Sequence, residues 1–138
     1  MTHSSPVNDS LSYWQERQAA ALPVVELPTD CPRTARVATL SGIAQRRWPQ
    51  PDALAQEAGT DVDDLLLAGF CVLVGRLCGE EGIAMGVTGE APGLLPLAVS
   101  LEGTDSFRAL VDRVRNDRTS ALGHARQATD AWRAAIDA

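Results

Sequence analysis

Few side chains in this sequence have the types and spacing that acid–base, nucleophilic or metal chemistry needs. There are two histidines, His3 and His124. His3 lies in a polar leader. His124 closes a helical pattern in Gly123-His124-Ala125-Arg126, where a helix C-terminus favours a structural, partly exposed imidazole. No Gly-x-Ser-x-Gly elbow occurs, and Ser10, Ser12 and Ser41 have no histidine in a convincing sequence context, although pairing in space is not legible in sequence. The three cysteines, Cys31, Cys71 and Cys78, are an odd number without metal-like clustering. Cys71 and Cys78 fall inside an apolar helical pattern and read as small buried hydrophobes, while Cys31 reads as a free thiol in a Pro-rich loop. Gly79-Glu80-Glu81-Gly82 is not a phosphate loop, because it lacks Lys and carries two carboxylates that repel phosphate. Asp61, Asp63 and Asp64 are close together, and compensation of a helix N-terminus explains them better than a metal does. The expectation is therefore no catalytic residue, no cofactor and no metal.

The arginines carry more information. On an ideal helix Arg108 and Arg115 share one side with Asp112, beside an apolar stripe, which predicts a solvated flank with a local ion pair. Arg118 projects onto the stripe itself. It either snorkels or marks where the helix end faces a partner, and Arg115 and Arg118 are carried forward as candidate partner-binding residues.

The elements that must position these residues follow from pattern and punctuation. Residues 1–9 have no period and read as a disordered leader. Ser10 suits the N-cap of a helix over about 11–20 that carries Trp14. Pro23, Pro28 and Pro32 then punctuate an extended connector, since such a density of proline breaks any helix. Residues 34–48 predict a strand weakened by Gly42. Pro51 suits the first turn of a short helix over 52–58, ended by Gly59 in the left-handed conformation. Thr60 with an acidic residue three positions on predicts a capped start to a helix running to Cys78 and stopping at Gly79. Its residues, among them Leu65, Leu66, Phe70, Leu73 and Leu77, are apolar on almost every side, which predicts burial all round. Strands are expected at 83–88 and 94–101. Thr104 or Asp105 is the expected cap of a helix over 105–122, with Phe107, Leu110, Val111, Val114, Ala121 and Leu122 as its core stripe. A last helix, with Trp132 and Ile136, is expected over 129–137. This alternation predicts an α/β layer architecture.

The chain has 138 residues, 45% hydrophobic and 4% aromatic, so a single, mainly aliphatic core is expected. The net charge of −6 argues against nucleic acid or an anionic membrane as partner, because both require a basic footprint. No apolar run approaches the roughly 20 residues of a membrane span. Without a signal peptide pattern either, the expected location is cytoplasmic.

Three blocks in order resemble one family. Leu11-Ser12-Tyr13-Trp14, followed by Val25-Glu26-Leu27-Pro28-Thr29-Asp30-Cys31-Pro32-Arg33, is similar to the wording L-x-Y-W … L-E-L-P-T-D-x-P-R-P. That wording occurs at the entry to the second half of nonribosomal peptide synthetase condensation domains. Gly79-Glu80-Glu81-Gly82-Ile83-Ala84-Met85-Gly86 is similar to G-x-x-D-I-V-V-G. Pro96-Leu97-Ala98-Val99-Ser100-Leu101, with Asp105-Ser106-Phe107-Arg108-Ala109-Leu110-Val111, resembles L-x-L-R-V … S-F-x-x-L-L. The resemblance covers roughly residues 11–125. It implies part of a chloramphenicol-acetyltransferase-like α/β sandwich, a mixed sheet with helices packed on one face. Residues 10–33 would form the helix and Pro-rich connector, and 34–138 the α/β core of a truncated condensation-like domain.

The family's paired histidines with a nearby Asp-Gly lie upstream of these blocks, and no residue here matches them. His124 falls near a family histidine that is not the catalytic one. A longer family stretch between Gly86 and Pro96 is reduced here to Val87–Leu95. The polar leader after Met1 is expected of a genuine N-terminus, whereas Ala138 stops within a pattern the family continues, as expected of a cut.

The resemblance implies a non-catalytic element of a peptide synthetase. It would serve as a structural platform or docking partner for an adenylation or carrier domain, in cis or in trans, with self-association open. The alternative is one half of a split acyltransferase, completed by a chain that supplies the paired histidines. Candidate docking residues are Trp14, Leu22, Val25, Leu27 and Arg33 in the helix and connector, together with Arg115 and Arg118.

Overall fold

The computed structural model describes residues 6–19, 25–29, 42–88, 93–103 and 106–125. Its elements in order are α1 (Pro6–Ala19), α2 (Pro51–Ala58), α3 (Val62–Cys78), β1 (Gly82–Val87), β2 (Leu95–Ser100) and α4 (Phe107–Gly123). The mixed α/β class expected from sequence is present, with a small antiparallel sheet.

α1 begins at Pro6, so residues 6–9 are helical and not part of a disordered leader, and Ser10 lies inside the helix instead of capping it. Proline fits a first helical turn because its missing N–H has no partner there in any case. α2 starts on Pro51 and ends where Gly59 turns left-handed at φ 67°, its N–H reaching the carbonyls of Ala55 and Gln56. The strand expected over 34–48 is absent from 42–48, which is irregular and exposed. Among the described residues β1 and β2 pair only with each other, and a strand sequence without a neighbour has nothing to pack against. Residues 34–41 and the expected helix over 129–137 lie outside the described residues.

α3 has the predicted limits. Its cap is Asp61, whose carboxylate accepts from the Asp64 N–H at 2.8 Å, and not Thr60, whose hydroxyl instead donates to the Asp64 carboxylate at 3.3 Å. Gly79 ends the helix at φ 71°. The expectation of burial all round is corrected. Leu65, Ala68, Cys71 and Val74 are buried, but Leu66, Phe70, Leu73 and Leu77 are 50%, 50%, 56% and 53% exposed. Hydrophobicity alone marks both faces, and only the first is fully covered by neighbours among the described residues.

β1 and β2 run antiparallel in a register that pairs Gly82 with Ser100 and Val87 with Leu95. Ile83, Met85 and Val87 therefore lie opposite Val99, Leu97 and Leu95 on one face. That face carries the helices. Ile83 and Val99 join Leu65, Ala68, Cys71, Val74, Leu110, Val111 and Val114 in one cluster. Leu95 and Leu97 join Trp14 and Ala121 in a second, with Met85 packed against both. Gly75 lets α3 approach the chain that follows it, since a Cβ there would lie 2.9 Å from the Glu80 carbonyl oxygen.

α4 is capped by Ser106, whose hydroxyl accepts from the Ala109 N–H at 3.2 Å; the expected caps Thr104 and Asp105 lie outside the described residues. Leu110, Val111, Val114 and Ala121 form its buried stripe as predicted, whereas Phe107 is 48% exposed.

Candidate functional site

The polar side chains singled out above converge at two helix junctions. At the first, α1 crosses the C-terminal end of α4. Trp14 is 2% exposed, and its indole N–H donates to the His124 carbonyl at 2.9 Å. The His124 ring stacks on Tyr13 with centroids 4.3 Å apart, and Tyr13 meets Trp14 edge-on at 4.9 Å. The Ser10 hydroxyl lies 2.8 Å from His124 Nδ1. Arg17 bonds Asp117 at 2.6 Å while its guanidinium lies over the Tyr13 ring.

Trp14 is thus a buried anchor between helices, which corrects its assignment to a partner-binding surface. An indole this large is most stable where its body is buried and its N–H is satisfied, and the carbonyl at a helix end supplies that acceptor. The Ser10–His124 pair is invisible in sequence because the two residues lie at opposite ends of the chain. It is not built as a nucleophile and base. Ser10 is 6% exposed within α1, and neither residue lines the cavities that open beside α3. His124 acts as the cap residue of α4, its backbone N–H reaching the carbonyls of Ala121 and Leu122.

At the second junction, α4 crosses the N-terminus of α3. Asp64 is 1% exposed. Its carboxylate meets Arg118 Nη1 at 2.5 Å and Arg115 Nε at 3.4 Å. Arg118 also reaches Asp61 at 3.2 Å and Asp63 at 3.8 Å, and Arg115 donates to the Gly59 carbonyl at 2.6 Å. Partial burial pushes the Asp61 carboxyl up, but the Asp64 N–H and the Arg118 guanidinium outweigh it, so the group sits below its usual value of 3.8.

The partner-facing reading of Arg118 is corrected accordingly. Its side chain is 13% exposed and engages all three aspartates, because a guanidinium lying on an apolar stripe needs carboxylates to replace its lost water. Arg115 keeps the expected local pair with Asp112, at 3.7 Å, but its shorter bonds go to Asp64 and Gly59. Arg108 turns instead to α2, donating to the carbonyls of Glu57 and Ala58 at 3.0 and 3.4 Å. Among the described residues no group of three or more His, Cys, Asp or Glu could hold a metal ion. Burial pushes the Cys71 thiol up to about 11, so it is a poor nucleophile at neutral pH.

The connector residues divide. Val25 packs against the main core cluster, and Leu27 is 51% exposed. Leu22 and Arg33 lie outside the described residues. A concave apolar feature that sequence pattern does not reveal lies on the other side of the molecule's helices. Trp48, Leu54, Leu66, Gly69, Phe70 and Phe107 line an open trough of about 740 Å³ between α2, α3 and the start of α4. No helix among the described residues is long and apolar enough to cross a membrane.

No family model matches the chain. Over 135 residues it is 33% identical to one of the linear gramicidin synthase proteins of Brevibacillus parabrevis, a match that takes in 84% of this chain and 3% of that protein. It is 34% identical over 135 residues to phosphinothricin tripeptide synthetase PhsB of Streptomyces viridochromogenes, covering 85% of this chain and 11% of that protein. Its structure superposes on the EpoB cyclization-docking bidomain from Sorangium cellulosum with a TM-score of 0.70 and 21% identity, over 98% of this chain and 32% of that one. The X-domain from teicoplanin biosynthesis gives a TM-score of 0.67 at 20% identity, over 89% of this chain and 31% of that one. Over most of its length the chain is similar in sequence to parts of nonribosomal peptide synthetases, and it shares its fold with the cyclization-docking bidomain and the X-domain, consistent with a partial condensation-like domain. This condensation-like piece thus spans a small fraction of its curated relatives and about a third of its solved neighbours.

Proposed function

We propose that this condensation-like domain is a non-catalytic element of peptide secondary-metabolite biosynthesis, acting in the cytoplasm as a platform that docks an adenylation or carrier module of a nonribosomal peptide synthetase. The observation that carries the reading is a division of labour among side chains. Those able to do chemistry, His124, Ser10, Asp64, Arg115 and Arg118, bond one another across helices. Large apolar side chains are also left on the surface, among them Leu27 in the connector. A histidine held by a serine hydroxyl on one side and stacked on a tyrosine cannot reach a carrier-bound thioester without dismantling the α1–α4 junction. The connector is anchored through Val25 and presents Leu27 outward, in the stretch whose wording follows the family most closely. Resemblance in a segment without catalytic residues fits selection for contact.

Incubation of the purified chain with an acyl-loaded carrier protein and an amine acceptor tests the non-catalytic half of this reading. The expected result is no product above the blank. Turnover that disappears in His124→Ala would refute it.

A further inference from the structure

We propose that the outer face of α3 is the interface of a homodimer of this chain. Leu66, Phe70, Leu73 and Leu77 recur at steps of four, three and four residues, the alternation of a seam between two paired helices. Each is half exposed, while the opposite side of α3 is buried on α4 and the sheet. Beside the stripe Trp48, Leu54 and Phe107 are 40%, 43% and 48% exposed and widen it into the 740 Å³ trough. Gly69 lies within this face, and nothing stands within 4 Å of the place its Cβ would occupy, so a second helix can come close to the backbone there.

The area fits a dimer. These half-exposed large side chains, at roughly 100 Å² each, present about 700 Å² of nearly continuous apolar surface. A stable dimer needs about 800 Å² per partner, and a patch of this size exceeds what ordinary monomers leave in water.

The pattern also selects the occupant. Steps of four, three and four read the same in both directions. Two copies related by a two-fold axis with antiparallel α3 helices therefore set Phe70 against Leu73 and Leu66 against Leu77, and self-matching of this kind is what an isologous contact requires. The four stripe positions themselves are uncharged; Arg76 is exposed beside them, Glu57 and Arg108 lie on the rim of the trough, and the acidic N-terminus of α3 is bound by Arg115 and Arg118.

Sedimentation velocity of the full chain from micromolar to hundred-micromolar concentration tests this, with thermal unfolding at the same concentrations. The expected result is a species of twice the 14.7 kDa chain mass and a Tm that rises with concentration, as linkage requires of a dimer. Phe70→Glu should give a monomer with unchanged far-UV circular dichroism, because half of that side chain is already in water. Leu77→Asn, at the other end of the stripe, should weaken the dimer at least tenfold and decides the matter if Phe70→Glu does not fold. A wild-type chain that stays monomeric throughout, with a concentration-independent Tm, overturns the proposal. So does a dimer that survives both substitutions, since it would use another surface such as a strand edge. Binding of an adenylation or carrier module is read in a separate titration, so the two ideas can fail independently.

Discussion

Replacing Arg118 by Met should destabilise the chain by about 2–4 kcal/mol, since removing one partner of a buried pair costs about 3–5 kcal/mol when the remaining charge is left without water or counter-charge. Arg118 Nη1 lies 2.5 Å from an Asp64 carboxylate that is 2% exposed. Asp64 keeps Arg115 at 3.4 Å and the Thr60 hydroxyl at 3.3 Å, so the loss falls toward the lower end. The contacts to Asp61 and Asp63, whose side chains are 58% and 70% exposed, add at most about 1 kcal/mol between them in screening solvent. Met retains the aliphatic stem on the stripe of α4, which isolates the electrostatic part.

For a domain of this size the change corresponds to a fall in Tm of about 6–15 °C. Urea unfolding followed by circular dichroism should show a lower midpoint with an unchanged slope. The double variant Asp64→Leu, Arg118→Met should lose less than the two single variants together, by about 1.5–3 kcal/mol, as expected of directly coupled residues. A loss below about 0.5 kcal/mol for Arg118→Met, or strictly additive changes in the double variant, would mean that the arginine does not hold α4 on α3.

Two further outcomes follow from burial and titration. Leu110→Ala, at a side chain 2% exposed, should cost about 2–5 kcal/mol, whereas Phe70→Ala and Leu73→Ala, half in water, should each cost about 1 kcal/mol in the monomer; urea midpoints at low protein concentration compare them. Cys71 has a folded value of about 11 against 9.0. Its contribution is complete below pH 9 and is lost as pH rises toward 11. Asp61 lies below 3.8, so its contribution is complete above that value and disappears as pH falls beneath it. Tm measured across pH should therefore decline at both ends, and Cys71→Ser should abolish the alkaline decline attributable to the thiol.

Much of the local architecture is legible because it is written in neighbours. Pro51 and Gly59 bracket α2, Gly79 stops α3, and the apolar steps through Leu110, Val111 and Val114 identify the buried stripe of α4. What pattern does not resolve is which of two apolar faces has something to lie against. Phe70 and Leu73 are as hydrophobic as Leu65 and Val74, and only packing separates them. Long-range polar contacts are equally hidden. Arg118 is conspicuous on an apolar stripe, yet its partners lie more than fifty positions away, around the start of α3. Trp14 reads as a surface residue because its wording follows the family, and it is instead the anchor that fixes α1 to the end of α4. Ser10 and His124, from distant parts of the chain, give no signal of their pairing at all.

The central claim is that this condensation-like domain works by contact. Its most direct test is a titration of the purified chain into an adenylation–carrier didomain of a nonribosomal peptide synthetase, read by calorimetry and repeated with Leu27→Asp. The account predicts saturable binding by the wild-type chain and at least tenfold weaker binding by the variant, with both proteins equally folded. No heat of binding at hundred-micromolar concentration, or an affinity that Leu27→Asp leaves unchanged, would contradict it.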